Sequence, residues 1–100
     1  MSIVVVTKEN FEEIKKNSVV MLDFYADWCG PCRMVAPTVH EIAEERSDVT
    51  VGKINVDNDP DLAQAFGVMS IPTIVILKGG EEAARAVGVR TKQQLLDMLG

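Results

Sequence analysis

Cys29 and Cys32 are the only cysteines in the chain, and they stand three positions apart. Residues at that spacing in a helical turn have Cβ atoms about 5–6 Å apart, close enough for a disulfide with modest adjustment. As a staple the bond would be poor. Closing four residues removes only about 2 kcal/mol of unfolded-chain entropy, against about 3 kcal/mol for fifteen residues. A bond that constrains so little is better explained as one that opens and closes. The stretch DFYADWCGPCRM adds an acid, since Asp23 lies inside the apolar run VVMLDFYA just upstream of the pair. If Asp23 is buried, its charged form is disfavoured and its pKa rises. It would then accept a proton near neutral pH instead of remaining a permanent anion. The blander alternative is a strand-end aspartate that reaches solvent.

The two cysteines fall where an apolar strand gives way to a helix. Free N–H groups and the positive end of the helix dipole favour thiolate over thiol at Cys29. The thiolate is the species that attacks a disulfide. Cys32, one turn further in, should be more shielded than Cys29 and hold its proton more tightly. Gly30 leaves out a side chain where another backbone could approach. Pro31 suits the first helical position, where its missing N–H costs nothing. Other chemistries fit less well. Zinc wants four ligands, and the chain offers two cysteines and one histidine, His40, eight residues beyond Cys32. A cysteine-protease pairing would need that sole histidine as a base, and nothing in the pattern places it so. Two inert buried cysteines remain the plain alternative, and His40 reads as a surface residue.

The elements that must position this pair follow from periodicity. Ile3–Val6 is a short β-branched strand. Thr7 is placed to cap a helix from Lys8 to about Lys16, with Phe11 and Ile14 inside and Glu12 paired with Lys16 outside. Val19–Ala26 is apolar at odd and even positions alike, as in a central strand covered on both faces. A helix follows from about Pro31 to Arg46, with Val35, Val39 and Ile42 on its inner face and a kink expected at Pro37. Val49–Val56 is a strand. Asp59 caps a short helix that starts at Pro60, turns Leu62 and Phe66 inward and stops at Gly67. Pro72–Leu77 is a strand, Gly79-Gly80 a two-residue hairpin turn, and EEAARAV the return limb. That limb has helical propensity, but the turn and the sheet edge favour a strand. Thr91 and Gln94 form a capping box for a last helix with Leu95, Met98 and Leu99 inward. The order βαβαβαββα predicts a three-layer α/β domain, with three strands joined through helices parallel and the terminal hairpin antiparallel.

The 100 residues are expected to form one domain spanning 1–100. Apolar content of 47% and charge of 25% match an ordinary soluble globular chain. The net charge is −5, with acid in excess in both halves and no basic cluster, which argues against nucleic-acid or anionic-membrane partners. Apolar runs are too short to span a bilayer. MSIVVVTKENFEE lacks a basic leader segment, so a cytoplasmic, reducing setting is expected, in which a permanent structural disulfide is improbable.

Trp28-Cys29-Gly30-Pro31-Cys32 resembles the thioredoxin active-site motif WCGPC at every position. The resemblance extends to Asp23-Phe24-Tyr25-Ala26, Met34-Val35-Ala36-Pro37, Lys53-Ile54-Asn55-Val56-Asp57, Phe66-Gly67-Val68, Ser70-Ile71-Pro72-Thr73, Gly79-Gly80 and Val87-Gly88. It covers nearly the whole chain and is closer to a free-standing member than to a domain of a larger oxidoreductase. It implies the thioredoxin fold, a five-stranded mixed sheet in the order 1-3-2-4-5 flanked by four helices, with a cis peptide at Ile71-Pro72. It also implies a general protein-disulfide reductase, a thiol–disulfide oxidoreductase and electron carrier. Cys29 would be the nucleophile and Cys32 the resolving thiol, Asp23 would accept the Cys32 proton, and Lys53 would partner Asp23. Trp28, Pro31, Ile71, Pro72, Val87 and Gly88 would frame an apolar patch, with the Ile71 main chain bonding an extended partner segment. The implied partners are thioredoxin reductase and disulfide-containing client proteins. A monomer with no cofactor and no metal is expected. Tyr25 departs from the tryptophan many members carry there, and Met69 from a frequent basic residue, which bears on partner preference. A disulfide oxidant or isomerase is an alternative that Gly30-Pro31 disfavours, since oxidising relatives usually carry histidine there. A non-catalytic binding module using the same surface is another.

Overall fold

The computed structural model describes residues 3–100. In chain order these form β1 (Ile3–Val5), α1 (Phe11–Ile14), β2 (Val19–Tyr25), α2 (Gly30–Glu45) and β3 (Thr50–Asn55). They continue with α3 (Pro60–Ala65), β4 (Thr73–Lys78), β5 (Glu81–Val87) and α4 (Lys92–Leu99). The sheet runs β1-β3-β2-β4-β5. β1 and β2 lie parallel to β3, and β4 is antiparallel to both β2 and β5. This is the expected mixed sheet. Its centre is β2, whose run of apolar residues on both sides leaves the strand covered on both faces.

Two apolar layers sandwich the sheet. Met21, Val51, Ile74 and Ile76 meet Val35, Val39 and Ile42 of α2 and Leu95 and Leu99 of α4. On the other face Val20, Leu22, Phe24, Ile54 and Val75 meet Leu62 and Ala63 of α3, with Phe11 and Ile14 of α1 packed alongside. Phe66 closes this layer, its ring 5.6 Å from that of Phe11 and 5.4 Å from that of Phe24. α2 runs on through Pro37, whose missing N–H leaves one turn of the helix without its bond. Lys92 ties α4 to α2 through Glu41, at 3.3 Å, and Glu45. Among the described residues no helix is long and apolar enough to cross a membrane.

The ends of the elements show where local sequence decides. Thr91 accepts the Gln94 N–H at 3.1 Å while the Gln94 side chain accepts the Thr91 N–H at 2.9 Å, the expected capping box. α3 stops as a helix with a left-handed glycine should. Gly67 has φ +65°, and the Val68 and Gly67 N–H groups return to the carbonyls of Ala63 and Gln64, both at 2.9 Å. Gly79 and Gly80, with φ of +61° and +83°, join β4 to β5 in a two-residue turn. The return limb is a strand, as the turn required, despite its helical propensity. Ala83 is squeezed out of register between the Leu77–Glu82 and Ile76–Ala84 pairs.

The first helix differs from expectation. It is a single turn over Phe11–Ile14, preceded by turns, and Thr7 does not cap it. Asn10 occupies the N-cap, and its side chain folds back to take the Thr7 N–H at 2.8 Å and to donate to the Val5 carbonyl at 2.9 Å. An asparagine that bonds local backbone competes with helix and shortens it. The ion pairs accordingly fall at a spacing of three, Glu12 with Lys15 and Glu13 with Lys16, instead of Glu12 with Lys16. Asp59 does stand at the N-cap of α3, but its carboxylate accepts the Lys8 N–H at 3.2 Å and makes no cap bond of its own.

Candidate active site

The site forms where β2 ends and α2 begins. Cys29 is the N-cap of α2, in an extended conformation with φ −88° and ψ 110°, and Gly30-Pro31 open the helix. Cys29 and Cys32 are joined by a disulfide with Cα atoms 5.2 Å apart. The Cys32 N–H points at Cys29 Sγ from 3.2 Å. The sulfur therefore occupies the place that a serine or aspartate oxygen usually fills, where the dipole and the orphan donors favour negative charge.

Exposure does not separate the two sulfurs as the sequence suggested. The helix start predicts a Cys32 more shielded than Cys29, yet each residue is only 4% exposed. The disulfide makes each sulfur cover the other, and both pack with Ala26 against Tyr25, Val56 and Ile71. Position distinguishes them instead. Cys29 Sγ lies 3.8 Å from the Ile71 carbonyl oxygen, beside the loop that leads into β4, while Cys32 belongs to the first turn of α2. A Cβ at Gly30 would meet nothing within 4 Å, so the space next to the pair is open.

The loop facing Cys29 is held by its own bonds. The Ile71-Pro72 peptide is cis. Thr73, buried at the start of β4, donates its hydroxyl to the Ser70 carbonyl at 2.6 Å. Gly88, with φ +93°, donates its N–H to the Pro72 carbonyl at 2.8 Å. That conformation is one only glycine adopts without strain. Pro31, Trp28 and Val87 are exposed and Ile71 is half-buried, as an apolar patch needs. Pro72 is buried and contributes from beneath.

Trp28 is 69% exposed, and its indole Nε1–H donates to Asp57 Oδ2 at 2.8 Å, fixing the ring at the edge of the site. Sequence reasoning missed this partner, although Asp57 closes a segment already singled out. It also missed the groove of about 380 Å³ that begins at Trp28 and Ile71 and runs along Val56, Val68 and Ser70 to Met69. Met69 stands 95% exposed at the rim of this groove.

Asp23 is 1% exposed, on the sheet face that carries Met21. Burial raises its pKa from 3.8 to about 6, and the nearby Lys53 charge pulls it back only in part. Among the described residues Asp23 Oδ1 has no hydrogen-bond partner. Lys53 lies directly across from it in the β2–β3 register. The Lys53 ammonium sits over the Tyr25 ring, 4.4 Å from its centre. Lys53, Tyr25 and Cys32 line one cleft of about 190 Å³, with Asp27 and Arg33 at its side. The structure thus places Lys53 and Cys32 on one cleft, Ile71 against Cys29, and Asp23 buried beside Lys53 in the sheet.

Comparison with known proteins agrees with this geometry. A family model described as Thioredoxin matches residues 2–100. The thioredoxin of Alicyclobacillus acidocaldarius is 47% identical over 91 residues, which cover 89% of this chain and 87% of that protein. The thioredoxin of Chlamydia pneumoniae is 41% identical over 95 residues, covering 95% and 93%. A bifunctional thioredoxin reductase/thioredoxin of Mycobacterium leprae is 48% identical over 84 residues, 83% of this chain but 18% of that longer protein. Among solved structures, a mutant thioredoxin from Halobacterium salinarum NRC-1 superposes with a TM-score of 0.92 at 39% identity, covering 98% of this chain and 88% of that one. The chain belongs to the thioredoxin family, and its cysteine pair makes it a thiol–disulfide oxidoreductase.

Proposed function

We propose that the protein reduces disulfides in client proteins by two successive displacements. Cys29 thiolate attacks one sulfur of the client disulfide and forms a mixed disulfide, releasing the other client sulfur as a thiolate. Cys32, deprotonated with help from Asp23, then attacks Cys29 Sγ. The client leaves as a dithiol, and Cys29–Cys32 is left oxidised. The second step is intramolecular, and sulfurs held on adjacent turns need little reorganisation to meet. A separate reductase restores the dithiol. The relative in which a thioredoxin is fused to thioredoxin reductase supports that pairing.

The observation that carries this reading is the Cys32 N–H aimed at Cys29 Sγ from 3.2 Å. The donor already points where charge develops when the bond is cut, so Cys29 is the sulfur that leaves and returns as thiolate. Lys53 tempers Asp23, whose raised pKa suits proton exchange near neutrality. Trp28, Pro31, Ile71, Pro72, Val87 and Gly88 supply the apolar frame, and the open space at Gly30 admits a client backbone. A monomer acting as one domain over 1–100 in the reducing cytoplasm suits this chemistry, which needs no cofactor in the chain itself.

Cys32→Ser stops the second displacement, so it should trap clients as mixed disulfides on Cys29 that run as reducible adducts on non-reducing gels. Cys29→Ser should trap none and should not reduce a peptide disulfide. Client function that survives Cys29→Ser would point to a binding module. A standard potential as high as that of a strong oxidant would point to the oxidising alternative.

A further inference from the structure

We propose that Tyr25 is a positioning residue: its ring holds the Lys53 ammonium away from the Asp23 carboxyl, leaving that buried group free to exchange a proton with Cys32. The inference rests on the function proposed above. Three observations carry it. Lys53 is the direct cross-strand neighbour of Asp23. Asp23 Oδ1, buried at the strand centre, accepts no hydrogen bond among the described residues. The lysine that could supply one has its Nζ 4.4 Å from the centre of the Tyr25 ring.

The physics of the choice is a competition. An aromatic face attracts an ammonium modestly when the site is partly open. A direct contact with the buried carboxylate would strip the ammonium of its hydration, which offsets much of the attraction, and would drag the acid's pKa down by about one to three. A carboxyl so paired would stay ionised through the physiological range and take up no proton. Tyr25 offers the lysine a second seat, two residues along the same strand face, at the mouth of the cleft that also reaches Cys32. The lysine then influences Asp23 through space without neutralising it, in keeping with the raised pKa at which burial dominates and Lys53 only subtracts. The other titratable or charged groups on the cleft that Lys53 and Tyr25 line are Cys32 and Arg33 on α2 and Asp27 in the preceding turn. From β4 it faces Ile74, which carries no charge.

The test is the carboxyl titration of Asp23, followed by carbon-13 NMR in the reduced protein. Tyr25→Leu should lower its midpoint by about half a pH unit or more, because the freed ammonium moves onto the acid. Tyr25→Phe keeps the aromatic face and should restore the wild-type midpoint. In Tyr25→Leu combined with Lys53→Met the downward shift should vanish, since no cation remains to move. An unchanged or raised midpoint in Tyr25→Leu overturns the proposal, as does a shift that persists without Lys53. Should Tyr25→Leu fail to fold, the wild-type protein decides. Ring-current upfield shifts of the Lys53 ε protons support the seat, and their absence overturns it. Wild-type reduction of a peptide disulfide in the presence of dithiothreitol, measured separately, reports on the underlying function. Failure there leaves the titration result standing on its own.

Discussion

The two faces of β2 are built from neighbouring residues of one strand, yet they follow different rules. Val20, Leu22 and Phe24 point to the α1 and α3 side and pack into an apolar cluster. Met21 and Asp23 point to the α2 and α4 side, where an acid without a partner for Oδ1 replaces what could have been another aliphatic. Both faces are equally covered. The difference is that one is optimised for packing, while the other keeps a destabilising group on the face covered by α2, the helix whose first turn holds Cys32. The rise in the Asp23 pKa from 3.8 to about 6 corresponds to about 3 kcal/mol against the folded state at neutral pH. For a small domain that is a large share of net stability. The stability that function costs is therefore concentrated at one position on one face.

The apolar face should be the more costly to damage. Phe24→Ala removes a fully buried ring in contact with Phe66 and should cost about 3–5 kcal/mol in chemical denaturation. A loss below about 1 kcal/mol would mean that this layer is loosely packed and the contrast false.

The functional face should respond in the opposite direction. Asp23→Asn should stabilise the protein by about 3 kcal/mol at pH 8 and slow the release of mixed disulfides. The sign follows from proton binding. Because the folded pKa lies above the unfolded one, the folded state holds more protons between pH 3.8 and about 6. Wild-type stability thus falls as pH rises through that window. The penalty is full above it and absent below it. At pH 3.5 the gain from Asp23→Asn should therefore shrink toward zero. Equal stability of the two proteins at pH 8 would show that the acid is not desolvated and would erase the difference between the faces.

A smaller effect sharpens the comparison. Gly52 of β3 lies opposite Leu22, and a Cβ there would come within 2.5 Å of Val6 Cγ2 and 3.2 Å of Leu22 Cδ2. Val6 is short, β-branched and buried, so it cannot swing away. Gly52→Ala should cost about 1–3 kcal/mol in thermal or denaturant unfolding while leaving disulfide reduction intact. A neutral substitution would show slack where the structure shows none.

What could be read in advance divides along the same line. β2, α2, β4 and α4 were legible because their signals are redundant: apolar periodicity, caps and turn glycines agree. The cysteine pair and the acid were legible because their residue types and spacing are rare. α1 was misread because Thr7 and Asn10 are both acceptable caps, and only the fold-back bonds of Asn10 decide between them. The covering of Cys29 was missed because it depends on Val56, just past β3, and Ile71, in the loop before β4, which reach the site from distant parts of the chain. Trp28 with Asp57, and Lys53 over Tyr25, are likewise contacts between segments distant in the chain. Spacing along one stretch does not carry such information.

The Cys32 N–H that meets Cys29 Sγ has one more consequence. It comes from the residue that later resolves the intermediate, so recognition of the leaving sulfur and supply of the second sulfur reside in a single amino acid. Replacing that residue by anything other than proline removes a reactant but keeps the electrostatic cradle. A protein altered there should bite a target and be unable to let go, which makes it a ready-made hook for fishing out the molecules it serves.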